Sequence, residues 1–350
     1  MRISKILQNW YERNKRDLPW RNTQSPYKIW LSEIILQQTR VDQGLPYYEK
    51  FIDKYPDVYF LSKAEDDDIF KLWQGLGYYN RARNMLHTAR FIVKECNGRF
   101  PGNYDEILKL KGVGKYTAAA IASFAYNLPY AVVDGNVSRV ISRMYCIEEP
   151  MNSTKGIHQI GELAEEILDV ESPGIHNQAI MEFGSQLCTP VNPNCDICPL
   201  KSSCIAFNKN KVNTLPIKER KTKIKNRYLN YFAVEYNNSF YLNKRQGNDI
   251  WRNLYEFVLI ETSKKNSLEE IINGDEWQKL FENVNPIIDG DVVTFKHQLS
   301  HRLVHASFYY IKIKKPLVNT NFNLVAANEI SKFPVSRLTE KYMLQKLFKT

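Results

Sequence analysis

The sequence predicts a multidomain protein whose first part is mostly α and whose second part is α/β. Up to residue 208, long stretches repeat their apolar residues at the helical period, and few alternate strictly between apolar and polar residues. Beyond that point the chain is rich in Tyr, Phe, Val and Ile, as strands are, with one predicted helix at residues 267–284. The predicted strands are residues 228–236, 239–245, 254–261, 292–299 and 306–315. A chain of 350 residues is long enough for two cores.

A basic stretch separates the two parts. Residues 208–227 contain eight basic residues and one acidic residue, with a proline and no amphipathic period. We predict an interdomain linker at residues 208–226, between a first domain at 1–207 and a second domain at 227–350. The linker could follow a phosphate backbone or be a solvated tether. The whole chain has 48 Lys and Arg against 38 Asp and Glu, a net charge of +10, which favours a polyanionic partner.

Four of the six cysteines lie within seventeen residues, and their spacing predicts a metal centre. Cys188, Cys195, Cys198 and Cys204 form a C-x6-C-x2-C-x5-C loop, which can bring four thiolates together. Such ligation suits an iron–sulfur cluster or a closed structural zinc site, but the spacing differs from the close pairs typical of zinc and from ferredoxin runs. The alternative is a set of buried or disulfide-bonded cysteines.

Cysteine usage and apolar patterning also indicate a compartment. Clustered, metal-like cysteines are typical of a reducing environment. The amino terminus has no long apolar run followed by a small-residue cleavage site, and nowhere do about eighteen apolar residues follow one another. We therefore predict a cytoplasmic protein with no membrane partner.

The segment LKGVGKYTA, residues 110–118, joins two predicted helices. Glycines on both sides of a small apolar residue allow a tight turn, and backbone amides at the start of the following helix can hold a phosphate without contacting a base. This pattern is a helix-hairpin-helix signature, and it predicts DNA contacts at Gly112, Val113, Gly114 and Lys115. An ordinary turn between helices is the alternative.

Glu33 is a candidate proton donor. It lies on a predicted helix at residues 26–39, among apolar residues, with Pro26 in the first turn. Burial raises the pKa of a carboxyl group, which allows it to give up a proton near neutral pH. The alternative places Glu33 at the edge of the apolar stripe, facing solvent.

Asp134 is the second candidate carboxylate. It follows an apolar run and precedes a predicted helix, as a helix N-cap does. A carboxylate held ionised at that position can also stabilise a positively charged sugar or attack it. Two carboxyl groups in different environments are the usual requirement for cleaving a glycosidic bond.

Taken together, these motifs resemble one family. Residues 1–207 are similar, in order, to adenine-specific mismatch DNA glycosylases of the MutY type, within the helix-hairpin-helix or endonuclease III superfamily. The motifs are LPWR, PYKIWLSEIILQQT, LWQGLGYYNRARN, LKGVGKYTAAAI, VVDGNVSRV and the four-cysteine loop.

The resemblance implies a DNA repair N-glycosylase that flips adenine out of duplex DNA and removes it when it is mispaired with 8-oxoguanine or guanine. Glu33 would be the general acid, and Asp134 would stabilise or trap the sugar cation. Gln38 and Tyr78 would enter the base stack. The four cysteines would hold a [4Fe-4S] cluster with a structural role. The partner would be double-stranded DNA carrying an adenine mispair, bound by a monomer.

Tyr116 decides between two chemistries. Endonuclease III-like lyases have at the equivalent position a lysine that forms an imine with the sugar, which a tyrosine cannot do. The resemblance therefore implies a monofunctional glycosylase, with at most weak lyase activity from Lys115. Tyr116 and Asn136 also match positions that form hydrogen bonds around the sugar and the catalytic carboxylate.

The second domain resembles, more loosely, the Nudix-like (MutT-like) domain that recognises 8-oxoguanine in the same family. Leu299, Ser300 and His301 stand where that family commonly has Phe-Ser-His, so we expect weaker stacking at Leu299. The glutamate-dense metal helix of working Nudix hydrolases is missing from the sequence, which argues against pyrophosphate hydrolysis.

Two other functions remain open at this point. One is an endonuclease III-like pyrimidine glycosylase and lyase, which Tyr116 and the added domain disfavour. The other is a non-catalytic, cluster-bearing DNA-binding module that senses redox state.

Overall fold

The structure is a computed structural model that describes residues 3–219, 224–282, 284–299, 301–318 and 321–348. Its contacts divide the chain into two compact units. The first unit contains Met1–Lys63 and Arg83–Arg220, and the second contains Ala64–Ala82 and Lys221–Thr350. The sequence did not predict that Ala64–Ala82 groups with the carboxy-terminal part of the chain.

Helices dominate the chain up to residue 208. Their bounds, in chain order, are α1 Ile3–Asn14, α2 Pro26–Leu36, α3 Val41–Lys54, α4 Val58–Ser62, α5 Asp66–Leu72, α6 Asn80–Glu95, α7 Tyr104–Leu108, α8 Lys115–Tyr126, α9 Gly135–Met144, α10 Thr154–Glu166, α11 Pro173–Gln186 and α12 Ile205–Asn208. In the described part of the chain, no helix is long and apolar enough to cross a membrane.

The core of the first unit forms where α1, α9, α10 and α11 pack together. Leu7, Ile141, Ile160 and Ile180 are among its fully or almost fully buried residues. Helix α2 also lies inside the unit, because eight of its eleven residues are buried. This packing holds the start of α9 and the middle of α2 in a protein interior.

Strands and helices make up the rest of the second unit. The described strands are β1 Lys225–Tyr236, β2 Ser239–Lys244, β3 Tyr255–Thr262, β4 Ile287–Ile288, β5 Val293–Gln298, β6 Arg302–Lys312 and β7 Asn323–Ala326. They form one sheet in the order β4-β6-β1-β3-β2-β7, with β5 paired to β6. The pairing of β1 with β6 is parallel, and the other pairings between described strands are antiparallel.

The sheet has a hydrophobic cluster on each face. Along β1, Leu229 and Tyr231 belong to one cluster and Phe232 and Val234 to the other, as the alternation of strand side chains requires. Helix α15, Arg337–Tyr342, packs on the first face, while α13, Leu268–Ile272, and α14, Asp275–Leu280, pack on the second. The predicted fold class, mostly α followed by α/β, is confirmed.

One predicted helix is divided in two. The sequence predicts a single helix at residues 267–284, but α13 ends at Ile272 and α14 begins at Asp275. Gly274 is the N-cap of α14, in extended conformation, and Ser267 and Glu270 form a capping box at the start of α13. Glycine at a helix cap is common, so Gly274 was a signal for a break rather than a helix interior.

Candidate active site

A cavity of about 180 Å³ in the first unit is lined by four of the predicted site residues. Glu33 reaches it from α2, Tyr116 from the first turn of α8, and Asp134 and Asn136 from the cap and first turn of α9. These positions are far apart in the sequence, so the packing of three helices brings their side chains together.

Glu33 lies in the buried part of α2. The Ser25 side chain caps this helix, accepting a hydrogen bond from the backbone N–H of Lys28, and Pro26 occupies its first turn. Glu33 is only 7% exposed. Burial raises the pKa of its carboxyl group to about 7; a hydrogen bond from the Tyr116 hydroxyl opposes this rise, and the charge of Asp134 adds to it. Near neutral pH Glu33 is therefore partly protonated, unlike an exposed glutamate.

Asp134 is the N-cap of α9. Its Oδ1 accepts hydrogen bonds from the backbone N–H groups of Asn136 and Val137, at 2.8 and 2.7 Å, and its Oδ2 accepts one from the Asn136 side-chain amide at 2.7 Å. Burial raises the pKa of Asp134, while these hydrogen bonds and the charge of Arg139 oppose the rise. All the opposing interactions favour the ionised form. One carboxylate thus both caps a helix and faces the cavity.

An ion cluster that sequence reasoning did not find lines the same cavity. The buried carboxylate of Glu182 accepts two hydrogen bonds from the Arg16 guanidinium, each at 2.8 Å, and one from Arg21 at 2.6 Å. Burial alone would raise the pKa of Glu182, but these hydrogen bonds hold it well below its usual range. The cluster places fixed charges beside Glu33 and Asp134.

The sequence contained only part of the signal for this cluster. Arg21 belongs to the LPWR motif, but nothing in that motif indicates a carboxylate partner. Glu182 is 161 residues further along the chain and lies on α11. A pairing over such a separation depends on how α1 and α11 pack, which periodicity does not report.

A chain of hydrogen bonds leads from Asp134 to the cysteine loop. Asn136 donates to Asp134 and accepts at its Oδ1 a hydrogen bond from the Arg139 guanidinium, at 2.9 Å. Arg139 also donates to the backbone carbonyl of Cys188, at 2.7 Å, and to that of Gly184. Two side chains therefore connect the cap of α9 with the first cysteine of the loop.

The four cysteines of the loop line one small cavity of about 30 Å³. No three His, Cys, Asp or Glu side chains in the described ranges converge as ligands of a single metal ion. All four cysteines line this cavity, and four thiolates are the ligands that a [4Fe-4S] cluster takes. They are Cys188, Cys195, Cys198 and Cys204.

The surroundings of these sulfurs also suit an anionic cluster. Arg143 donates a hydrogen bond to Cys188 Sγ at 3.4 Å, and backbone N–H groups donate to the sulfurs of Cys198 and Cys204. Burial raises the pKa of the Cys198 thiol to about 11. A buried site with N–H donors directed at sulfur stabilises thiolates once a metal is bound.

The turn between α7 and α8 depends on a glycine. Gly112 has a φ of +83°, and a Cβ at this position would lie 2.7 Å from the Asn84 Cβ. The backbone N–H of Val113 donates to the Leu110 carbonyl, and the Val113 side chain is buried. Gly114 caps α8, and exposed Lys115 is its first residue. The Val113 amide is therefore used within the turn, which leaves Gly114 and Lys115 at the helix start.

Two residues predicted to enter a base stack have an unusual backbone conformation. Gln38, an exposed residue just after α2, has a φ of 56°, and Tyr78, in the second unit, has a φ of 47°. The Tyr78 side chain is 51% exposed, and the Arg81 guanidinium lies 5.7 Å from the centre of its ring. Left-handed conformations are uncommon outside glycine and concentrate at functional sites.

Two of the predicted recognition residues, Leu299 and His301, lie in the turn between β5 and β6. Leu299 is half-buried and packs against a core cluster, and its backbone N–H donates to the Arg302 carbonyl at 2.8 Å. His301 is exposed. Ser300 is outside the described residues. Leu299 thus supports the hairpin from its inner side, while His301 is accessible to a partner.

Comparison with protein families assigns each part of the chain to a class. Residues 31–166 match the HhH-GPD superfamily of base excision DNA repair proteins, residues 188–204 match the iron-sulfur binding domain of endonuclease III, and residues 230–345 match the NUDIX domain. The fold and the cavity therefore define a base excision repair glycosylase with an iron–sulfur loop and a NUDIX domain.

Whole-chain relatives narrow that class. The adenine DNA glycosylase of Buchnera aphidicola subsp. Acyrthosiphon pisum is 35% identical over 312 residues, which cover 89% of this chain and 87% of that protein. The enzyme of the same name from Buchnera aphidicola subsp. Baizongia pistaciae is 37% identical over 318 residues, covering 90% and 87%. The chain belongs to the adenine DNA glycosylase family.

Among solved structures, a thermostable thymine-DNA glycosylase is 32% identical and superimposes with a TM-score of 0.55, covering 59% of this chain and 95% of its own. Together with the family matches, this likeness confirms the helix-hairpin-helix glycosylase fold and the NUDIX domain. The cofactor prediction is also confirmed, since the cysteine loop is that of an iron–sulfur binding domain, and the cofactor is a [4Fe-4S] cluster. The site residues remain predictions.

Proposed function

We propose that this glycosylase removes adenine from duplex DNA when the base is paired with 8-oxoguanine or guanine, and that it does so as a monofunctional enzyme. Membership of the adenine DNA glycosylase family supports adenine as the base that is removed. The identity of the opposite base, the roles of the residues and the absence of strand cleavage are the further steps of the proposal.

One observation carries the mechanism. Two carboxyl groups line a single cavity, and burial raises the pKa of both, but the hydrogen bonds that oppose this rise are more numerous at Asp134 than at Glu33. Glu33 is desolvated and has a pKa of about 7, while Asp134 receives three hydrogen bonds from N–H groups. Such a pair can supply an acid and an ionised partner at the same pH.

The reaction then follows from these roles. The adenine nucleotide leaves the base stack and enters the cavity. Glu33 gives its proton to a ring nitrogen of adenine, so that the electron pair of the glycosidic bond leaves with the base. The sugar becomes an oxocarbenium-like cation, which the Asp134 carboxylate stabilises or traps. Water completes the reaction at the sugar carbon and yields an abasic site, with the Glu33 carboxylate as the base that takes up its proton.

Tyr116 supports base removal without efficient strand cleavage. Its hydroxyl donates a hydrogen bond to Glu33, and a phenol cannot form an imine with the sugar. Asn136 holds Asp134 through its side-chain amide. The four cysteines would hold the cluster, which would fix the loop whose Cys188 carbonyl accepts a hydrogen bond from Arg139.

DNA would be held through the turn at residues 112–115 and the two left-handed residues. Gly114 and Lys115 lie at the start of α8, where backbone N–H groups suit a phosphate. Gln38 and Tyr78 would fill the space left by the flipped nucleotide. We also propose that the enzyme acts as a monomer in the cytoplasm, on DNA.

Recognition of the opposite base is assigned to the hairpin of the second unit. Exposed His301, together with Ser300, has the hydrogen-bonding groups to read 8-oxoguanine, while half-buried Leu299 supports the turn.

The test is Glu33→Gln in the full chain, which keeps the shape of the side chain and removes its proton chemistry. We expect adenine release under single-turnover conditions to fall by about 10³-fold, with DNA affinity nearly unchanged. The matched control is Glu49→Gln on α3, which makes the same chemical change at an exposed glutamate. Adenine release by the parent enzyme is also compared between duplexes that carry 8-oxoguanine, guanine or thymine opposite adenine.

A Glu33→Gln enzyme that retains full activity would rule out the acid role. Equal rates for all three opposite bases would rule out the proposed specificity while leaving the chemistry intact. Efficient borohydride trapping on abasic DNA would contradict the monofunctional assignment.

A further inference from the structure

The segment Ala64–Ala82 groups with the second unit, although the residues directly before and after it, Lys63 and Arg83, belong to the first unit. It also contains Tyr78, which follows α5 by a short turn. The contacts of α5 within the second unit show what holds the segment there.

Asp67 makes the first of these contacts. One of its carboxylate oxygens accepts a hydrogen bond from Lys244 Nζ at 2.6 Å, and the other accepts one from the Tyr255 hydroxyl at 3.0 Å. Lys244 also lies 5.2 Å from the centre of the Tyr255 ring. Asp67 thus joins α5 to the facing ends of β2 and β3, which pair at Lys244 and Tyr255.

Two more residues of the segment reach the carboxy-terminal end of the unit. Lys71 Nζ donates to the Ser331 carbonyl at 2.5 Å. The Gln74 amide donates to Glu340 at 2.7 Å and accepts from the backbone N–H of Val335 at 3.2 Å. Asp67 and Lys71 lie one helical turn apart on α5, and Gln74 lies in the turn that follows the helix.

The turn that follows is tied back to the end of α5. The Trp73 indole N–H donates to the Gly77 carbonyl at 3.0 Å, and the Arg81 guanidinium donates to the same carbonyl at 3.2 Å. Arg81 also lies over the rings of Trp73 and Tyr78. Gly75, Gly77 and Tyr78 all have positive φ angles, which cost glycine little but are uncommon for tyrosine, so these hydrogen bonds help to hold Tyr78 in its conformation.

We propose that residues 64–82 are the element through which the second unit positions Tyr78, and that Asp67 is a positioning residue for nucleotide flipping. This inference rests on the proposed role of Tyr78 as a wedge. It adds to that role a chain of contacts from β2 and β3, through Asp67 and Trp73, to Tyr78. The catalytic cavity is untouched by this chain.

The experiment is a double-mutant cycle in the full-length, cluster-containing enzyme. Asp67→Asn removes the charge that binds Lys244, and Tyr78→Ala removes the wedge. We expect each single variant to slow single-turnover adenine release by about tenfold, and Asp67→Asn to have less than about twofold effect in the Tyr78→Ala background. The matched control, Glu65→Gln, alters an exposed residue two positions earlier that makes no capping hydrogen bond.

A flipping readout separates positioning from loss of structure. The fluorescence of 2-aminopurine beside the target adenine should rise less with Asp67→Asn than with the parent enzyme, at unchanged cluster absorbance and melting temperature. Tyr255→Phe, which removes one hydrogen bond to Asp67, should give a smaller effect of the same kind. It replaces Asp67→Asn in the cycle if that variant does not fold.

The outcomes distinguish the two proposals. If Tyr78→Ala alone leaves adenine release and flipping unchanged, the wedge role fails, and the positioning role fails with it. If Tyr78→Ala slows the reaction but Asp67→Asn does not, or if the two effects multiply in the double variant, the wedge stands and the positioning role of Asp67 is overturned.

Discussion

Two carboxyl groups reach the same cavity from different positions on their helices, one from the interior of a helix and the other from a helix N-cap. Glu33 lies in the middle of α2, where the backbone N–H groups are already bonded within the helix and the neighbouring side chains are apolar. Asp134 lies at the start of α9, where free N–H groups are directed at it. The comparison shows that the place of a carboxyl group on a helix sets how many backbone N–H groups are directed at it, and so how strongly its ionised form is stabilised.

The largest expected effect comes from removing the anion. Asp134→Asn keeps an oxygen that can cap α9 but loses the negative charge, so we expect adenine release to fall by about 10³-fold with only a small change in melting temperature. Single-turnover kinetics and thermal unfolding measure the two effects.

Asp57→Asn is the matched control for that substitution. Asp57 is also an aspartate N-cap in the first unit, accepting from the backbone N–H groups of Tyr59 and Phe60, but it does not line the cavity. Similar losses of activity in both variants would mean that Asp134 acts only as a cap, and the comparison with Glu33 would no longer hold.

How much of this site the sequence could predict depends on the range of the interactions. Glu33 and Asp134 were identifiable because their local patterns, a carboxylate in an apolar helix and an aspartate before a helix, carry chemical meaning. The cysteine spacing predicted a metal centre for the same reason, and the family resemblance then implied that it is a [4Fe-4S] cluster. The Arg16 and Glu182 pair was not predictable, because 166 residues separate its members and only the packing of α1 on α11 joins them.

The same limit applies to the fold. Strand composition located β1, β2, β3, β5 and β6 to within a few residues, whereas the two short strands β4 and β7 carry too few residues for a pattern. The sequence also did not predict that residues 64–82 group with the second unit. The hydrogen bonds that join them to it, such as that between Gln74 and Glu340, produce no periodic pattern in the sequence.

The second prediction concerns stability and follows from the raised pKa of Glu33. The pKa rises on folding from 4.5 to about 7, so between these values the folded state binds more protons than the unfolded state. The contribution of Glu33 to the free energy of unfolding therefore decreases as pH rises across this window. Because Glu33→Gln cannot ionise, we expect its stability relative to the parent to increase by about 2 to 3 kcal/mol between pH 5 and pH 8.

Urea unfolding of both proteins at the two pH values measures this difference. Glu49→Gln, at an exposed position, should show no such dependence. If the difference in free energy of unfolding between Glu33→Gln and the parent were the same at both pH values, the carboxyl group of Glu33 would be as well solvated as that of an ordinary glutamate. The proposed difference between the environments of Glu33 and Asp134 would then be wrong.

The smallest effect tests the one hydrogen bond that Glu33 receives from Tyr116. That bond stabilises the carboxylate and lowers the pKa, so Tyr116→Phe should raise the pKa of Glu33. The rate of adenine release falls at high pH as Glu33 loses its proton, and in the variant we expect this fall to move upward by about half a pH unit. Tyr126→Phe, on the same helix but outside the cavity, is the control. A downward displacement would contradict the assigned donor.

The path of the chain through the second unit has a practical consequence. Residues 64–82 are interior to the amino-terminal portion of the sequence, yet Asp67, Lys71 and Gln74 find their partners beyond residue 221. A protease cut between residues 208 and 226 would therefore yield two fragments that remain associated under native conditions. A gene truncated at the same point would encode a protein with an unsupported α5, and its activity would not represent that of a free-standing amino-terminal domain.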